Sequence, residues 1–251
     1  MTWILLRGLT REARHWGAFT SLLAERNGEE VLRLDLPGSG EFAAAPSPAS
    51  VAGIVDFLRA QLQAKKLQGP HKLLALSLGG MVATGWAQRY PDEVKRLVLI
   101  NTSMRPYSSV TQRLRPANWP QLAMLAARWP DADYAEGVIH DLTCNATATH
   151  EADIAAWLQI RKSAPVTPGN AARQLLAAAR FACAEATPRC QTLVLSSAGD
   201  RLVNPVCSTR LAAGWQAKHL QHPWAGHDLP HDDGEWICTQ LRDWMASSSV
   251  S

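Results

Sequence analysis

The chain of 251 residues has little that would commit it to an extracellular, membrane or nucleic-acid setting. It has five cysteines (Cys144, Cys183, Cys190, Cys207 and Cys238), odd in number, widely separated and without a C-x-x-C pair. No disulfide framework is legible in that spacing, so a reducing cytoplasm is the expected location. Charge of one sign is scarce too: 25 Lys and Arg against 22 Asp and Glu leave a formal +3, with no basic run beyond Lys65-Lys66. A nucleic-acid partner is therefore not expected. The apolar stretch Trp3 to Leu6 stops at Arg7, too short for a signal h-region and far too short for a membrane span. No internal repeat is apparent, and 16 Gly and 15 Pro punctuate the chain without making it low-complexity.

What the chain does have is material for a core, with 47% hydrophobic and 19% charged residues. Its length suits one α/β domain or such a domain with an insertion. Ten tryptophans are many; Trp86 reads as core, and others are candidates to line a pocket.

Short apolar segments alternate with segments of helical spacing. Thr2–Arg7 and Glu30–Asp35 read as strands, separated by a helix over Arg14–Arg26 with Trp16, Phe19, Leu22 and Leu23 on one face. Ser50 is placed to cap a helix carrying Ile54, Val55, Leu58 and Leu62. An apolar run ending at Leu76, a helix over Met81–Tyr90 and a strand over Val94–Ile100 follow. Such alternation predicts βαβ units and a mostly parallel sheet covered on both faces. From Met104 to Pro188 the pattern is helical only, over Trp119–Trp129, Tyr134–Leu142, Glu151–Lys162 and a stretch opening at Thr167-Pro168. Strands resume at Gln191–Ser196 and Lys218–Gln221, and a helix over Glu235–Met245 closes the chain. The expected organisation is a core of residues 1–103 and 188–251, interrupted by a helical insertion at 104–187.

The chemistry is signalled at Ala75-Leu76-Ser77-Leu78-Gly79, where a buried strand runs straight into a serine followed by glycines and a helix. Only small neighbours let strand and helix cross closely at such a turn, and the strained backbone thrusts the serine hydroxyl out of the sheet. A serine hydroxyl needs a base to take its proton, and the base needs a third group to hold its tautomer. Ligands in open α/β sheets bind at the carboxyl ends of the strands. Two later strand ends there carry suitable residues: Gly199-Asp200 after Leu193–Leu195, and Gly226-His227 after Gln221. The strand ending at Ile100 offers Asn101-Thr102-Ser103 and no carboxylate, which leaves Asp200 with little competition. Among the other histidines, His219 and His222 read as surface or satisfied core residues and His231 as an exposed loop residue. His15 is expected to cap or pack near the first helix, and Asp35 and Asp228 read as turn and helix-start residues.

Arg7-Gly8-Leu9, Asp35-Leu-Pro-Gly-Ser-Gly40, the turn at Ser77, Gly199-Asp200 and Gly226-His227 occur in this order, each at an expected strand end. Together they resemble the α/β-hydrolase superfamily, from Arg7 to the final helix. The resemblance implies Ser77 as nucleophile, His227 as general base and later acid, and Asp200 as the residue that orients the imidazole. It also implies an oxyanion hole from the backbone N–H groups of Leu9 and Leu78. The insertion is similar to the helical lid of this superfamily, so Trp119 and Trp157 from it, and Ser103 and Met104 just past a strand end, are candidate substrate contacts. No metal or cofactor is implied.

Two features depart from the family pattern. Arg7-Gly8 stands where many members have His-Gly. Arginine there can hold a structural hydrogen-bond net, the reading favoured, or face the acyl pocket and favour an anionic substrate. The N-terminus is also too short for the usual antiparallel hairpin, so a smaller sheet with a differently protected edge is expected. Short relatives with a four-helix lid include acyl-carrier-protein methyl ester esterases and small-molecule carboxylesterases. The implied activity is thus hydrolysis of a small-molecule ester or thioester through an acyl-enzyme on Ser77. Acyl transfer, perhydrolysis, C–C hydrolysis or lyase chemistry on the same triad stay open, as does a non-catalytic ligand-binding role.

Overall fold

A computed structural model describes residues 1–247. Its strands are β1 Trp3–Leu6, β2 Val31–Leu34, β3 His71–Leu76, β4 Val94–Ile100, β5 Gln191–Ser197 and β6 Lys218–His222. They form one sheet in the order β2-β1-β3-β4-β5-β6, and every pairing is parallel. Side chains alternate along a strand and both faces of the sheet are covered, which is why β1 is wholly apolar, β3 is apolar from Leu73 onward and β4 from Leu97 onward. Ile4, Leu6, Leu73, Ala75, Leu97 and Leu99 enter the apolar layer on one face of the sheet. Trp3, Leu5, Leu74, Leu76, Val98 and Ile100 enter the layer on the other.

The helices are α1 Phe19–Asn27, α2 Val51–Ala64, α3 Leu78–Arg89, α4 Val110–Arg113, α5 Trp119–Ala127, α6 Ala132–Thr143, α7 His150–Ser163, α8 Pro168–Arg180, α9 Val206–Trp215, α10 Leu229–Asp232 and α11 Gly234–Ser247. Helices α2, α3 and α9 contribute to the first layer, and α1 and α11 to the second. The side chain of Ser50 accepts the Gly53 N–H, and that of Thr167 the Asn170 N–H, so α2 and α8 begin where the capping residues direct. The helix expected over Arg14–Arg26 is instead a 3-10 turn, Ala13–Trp16, followed by α1. Gly17 between them takes φ 51°, a conformation that a helix cannot continue through. Helix α3 starts at Leu78, three residues before the expected Met81, directly after the serine.

From β1 the chain moves outward to β2 and then returns to place β3 on the other side of β1. The loops leaving β1 and β3 therefore diverge, which opens a crevice at their carboxyl ends, the topological switch point of the sheet. Helices α5 to α8 follow β4 and precede β5. Leu125, Ala135, Val138 and Leu142 from α5 and α6 form a small apolar cluster separate from both sheet layers. Among the described residues, no helix is long and apolar enough to cross a membrane.

Candidate active site

Ser77 closes β3 with φ 55° and ψ −118°, in the left-handed half of backbone space that a residue with a Cβ rarely occupies. The turn is held from below: Ser77 N–H donates to Ile100 O at 3.0 Å, and Thr102 Oγ1 donates to Ser77 O at 2.8 Å. Glycine is needed beside it for space. A Cβ on Gly79 would lie 2.4 Å from Leu6 O and 2.6 Å from Arg7 O, and one on Gly80 would meet Thr102 at 2.7 Å. With those side chains absent, α3 packs against the end of β1 and Ser77 comes beside Gly8, whose own added Cβ would stand 3.1 Å from Ser77 Cβ.

His227 and Asp200 arrive from the ends of β6 and β5. The His227 ring donates from Nδ1 to Asp200 Oδ2 at 2.7 Å, and both residues are buried. The second oxygen of Asp200 accepts the N–H groups of Leu202 (2.8 Å) and Val203 (2.9 Å), so the carboxylate is fixed before it meets the ring. Ser77 and His227 line one cavity of about 120 Å³ at the switch point. The Ser77 hydroxyl makes no hydrogen bond to the His227 ring; such contacts commonly tighten only when substrate is bound. The N–H of Leu78, at the first position of α3, has no partner within the helix, and that of Leu9 makes no hydrogen bond among the described residues.

Arg7 also reaches the cavity wall, but its guanidinium is spent on Asp228. Nη1 donates to Oδ1 at 2.9 Å and Nη2 to Oδ2, a bidentate pair that is almost fully buried, with the Arg7 group 4.9 Å from the centre of the Trp16 ring. Burial by itself would raise the Asp228 carboxyl, but the charge and hydrogen bonds of Arg7 outweigh it and hold the group below the usual carboxylate range. Arg7 thus stands on the cavity wall as one half of a buried, hydrogen-bonded ion pair.

Four expected substrate contacts are not brought to the cavity. Met104 is buried in the apolar layer shared with α2 and α3, and Ser103 is buried beside it, because the chain past β4 turns beneath α3. Trp119 is 45% exposed, its Nε1 donating to Leu114 O. Trp157 is enclosed between Arg11, whose guanidinium lies 4.1 Å from its ring centre, and His140 at 5.2 Å. The apolar wall comes instead from Leu122, Leu125, Ile139 and Leu142 of α5 and α6, with Leu76 and Leu202.

Sequence reasoning also missed the residues that hold the loops bearing His227 and Leu9. Asn101 Nδ2 donates to His227 O at 2.9 Å and Gly226 O at 3.2 Å, so the residue after β4 fixes the histidine turn. Asp232 accepts the N–H groups of Gly226, Asn145 and Ala146, joining that turn to the end of α6. Gln174 of α8 accepts the Thr10 N–H at 2.9 Å and donates to Pro37 O, which braces the loop bearing Leu9. Apart from Asp232 and Gly226, six residues apart, each partner lies far away in sequence, and no local motif announces it. His231, expected on an exposed loop, lies in α10 against α7, 3.2 Å from Asp153.

His15 is enclosed near the Arg7 pair, with its Nδ1 accepting the Glu12 N–H at 3.1 Å. Burial, and then the charges of Arg11 and Arg7, push its imidazole well below the ordinary value. The unfolded chain therefore binds the extra proton as pH falls below about 6.5, and stability is lost at up to about 1.4 kcal/mol per pH unit. His15→Gln should flatten the fall in urea midpoint between pH 7.5 and 5; an unchanged slope would show that the proton is taken up elsewhere.

The family model for the alpha/beta hydrolase fold matches residues 4–179. The chain belongs to the α/β-hydrolase fold family. It is 34% identical over 107 residues to a pimeloyl-[acyl-carrier protein] methyl ester esterase of Chromobacterium violaceum, a match covering 42% of this chain and 37% of that protein. An esterase of the same name from Aromatoleum aromaticum is 29% identical over 243 residues, 96% of this hydrolase and 85% of the relative. The enol-lactonase of Burkholderia xenovorans superposes with a TM-score of 0.80 at 18% identity, covering 98% of this hydrolase and 91% of that chain. That last likeness is one of fold.

Proposed function

We propose that this α/β hydrolase is a serine esterase that cleaves carboxylic esters or thioesters of small molecules through an acyl-enzyme on Ser77. One observation carries the reading: a serine in a strained turn opens on the same cavity as a histidine whose far nitrogen is bound to a buried, doubly anchored aspartate. Ser77 Oγ attacks the carbonyl carbon while His227 Nε2 takes its proton, and Asp200 holds the tautomer and stabilises the imidazolium. The N–H groups of Leu78 and Leu9 receive the developing oxyanion. His227 then protonates the leaving alcohol or thiol, and water, deprotonated by the same imidazole, releases the acid. The pimeloyl-ester esterases among the relatives support an ester as the bond cleaved.

Helices α5 to α8 serve as the lid in this reading, since Leu122, Leu125, Ile139 and Leu142 roof the cavity over Ser77. The five cysteines are free thiols, in keeping with a reducing compartment such as the cytoplasm.

A cavity of about 120 Å³ holds the volume of roughly four waters, which suits a short acyl chain. Rates over a p-nitrophenyl ester series should peak at acetate to butyrate and fall at least about tenfold by octanoate, a loss of about 1.4 kcal/mol in transition-state binding. A serine-directed fluorophosphonate should label the wild type. A chain that hydrolyses no ester of the series and takes up no probe would sink the esterase reading.

A further inference from the structure

Beside Trp157, three histidines, a cysteine and an aspartate converge. His140 and Cys144 are one helical turn apart at the end of α6, so they share a face. His231 comes from α10 and Asp153 from α7. A ring nitrogen of His140, one of His231 and Cys144 Sγ all lie within 4.8 Å of one another. Asp153 Oδ2 is 3.2 Å from His231 Nε2 and 3.6 Å from His140 Nε2.

The polar accounting here is unusual. The His140 side chain is 2% exposed, yet its Nε2 makes no hydrogen bond, and neither does the buried Nε2 of His231. Buried polar atoms in folded chains are ordinarily paired. Two imidazole nitrogens therefore converge beside one carboxylate oxygen without being aligned to it, an arrangement that suits a common central atom. We propose that His140, Cys144, Asp153 and His231 form a binding site for a divalent cation of the zinc class.

Two imidazoles, a thiolate and a carboxylate are a ligand set for zinc or cobalt, whereas calcium and magnesium take oxygen ligands. Zinc bonds of about 2.0 to 2.3 Å in a tetrahedron space their ligands by roughly 3.3 to 3.8 Å, so drawing His140, Cys144 and His231 together needs up to about 1.5 Å of side-chain adjustment, with Asp153 entering from beside the two imidazoles. The surroundings are arranged for it. Thr149 Oγ1 donates to Asp153 Oδ2 at 2.7 Å and orients that carboxylate, while Thr143 Oγ1 lies 3.6 Å from Cys144 Sγ. His150, partly exposed and paired with Asp141, meets the His140 ring edge-to-face at 4.5 Å. Arg11, the nearby cation, is paired with Glu136, which also pairs with Arg161. Binding converts the Cys144 thiol to thiolate and releases its proton to solvent.

The site joins α6 and α7 to α10, just beyond the turn that carries His227. A bound ion would clasp the helical insertion to the sheet domain, and this holds whether or not Ser77 is a nucleophile.

The test titrates the purified, reduced and chelator-treated chain with zinc chloride against a chromogenic chelator, and with cobalt chloride by absorption. One ion should bind per chain, and cobalt should give tetrahedral d–d bands with a thiolate charge-transfer band that Cys144→Ser removes. His231→Gln, at a partly exposed position, should weaken zinc binding at least tenfold with an unchanged circular dichroism spectrum. Zinc should also raise the melting temperature of the wild type and leave that of His231→Gln unmoved. Equal zinc affinity in wild type and His231→Gln, or a charge-transfer band that survives Cys144→Ser, overturns the proposal.

Discussion

Ser77→Ala is expected to lower kcat for ester hydrolysis by about 10⁴-fold or more, equivalent to at least about 5 kcal/mol of transition-state stabilisation. The magnitude follows from what remains. The variant keeps the His227–Asp200 pair, the unpartnered N–H groups of Leu9 and Leu78, and the cavity, but has no atom to form the acyl intermediate. Residual catalysis would then come from positioning and oxyanion stabilisation alone. Fluorophosphonate labelling should vanish with the rate. Alanine keeps a Cβ at φ 55°, so the strained turn and the stability of the chain should persist. Ser77→Gly separates strain from chemistry: it should be equally inactive, yet up to about 1 kcal/mol more stable because glycine adopts that conformation freely. An alanine variant that keeps a tenth of wild-type turnover would mean that another group does the chemistry.

Arg7→Ala should be the most destabilising single change among the polar residues around the cavity, by about 3 to 5 kcal/mol. The cost lies less in the lost attraction than in what stays behind, a carboxylate on Asp228 buried with no compensating charge. For a chain of this size that corresponds to a fall of about 6 to 20 °C in melting temperature. Asp228→Asn leaves the converse problem and should cost a comparable amount, whereas Arg7→Met with Asp228→Leu should recover much of the loss by filling the space with apolar atoms. The pair also has a pH signature. Because the Asp228 carboxyl is held down in the folded chain, its contribution is fully present above about pH 4 and is lost as pH falls through the folded value. Single variants that cost under about 1 kcal/mol, measured by urea unfolding, would show that water reaches the pair and screens it.

Much of the fold was legible because sheet strands buried on both faces leave a simple trace. Val94–Ile100 is apolar without interruption from Leu97 to Ile100, and its observed bounds match the expected ones. The turn residues were legible for a related reason: a serine followed by Gly79 and Gly80 marks a place where backbone must approach backbone. The cavity wall was not legible. Periodicity shows that α5 and α6 have an apolar face, but not whether Leu122 or Trp119 is the residue turned toward Ser77. The observed order places the leucine there and leaves the tryptophan half in solvent. The braces escaped for a different reason. Asn101 and Gln174 act across sequence separations of more than a hundred residues, and nothing in the neighbourhood of either distinguishes it from an ordinary loop or helix polar residue. Helix α9 was missed as well, since its opening at Pro205 follows a turn whose role was read only through Asp200.

The apolar cluster of α5 and α6 bears on how this hydrolase can diverge. Leu125 and Leu142 belong both to that cluster and to the cavity wall, and neither belongs to the layers that set the register of the sheet. Substitutions that reshape the pocket are absorbed in a nucleus of a few side chains, while Ser77, Asp200 and His227 stay on strand ends whose packing is untouched. On the proposed esterase reading, selection for a new acyl group can act on two short helices without renegotiating the foldability of the rest, and substrate range becomes the trait most easily inherited in altered form.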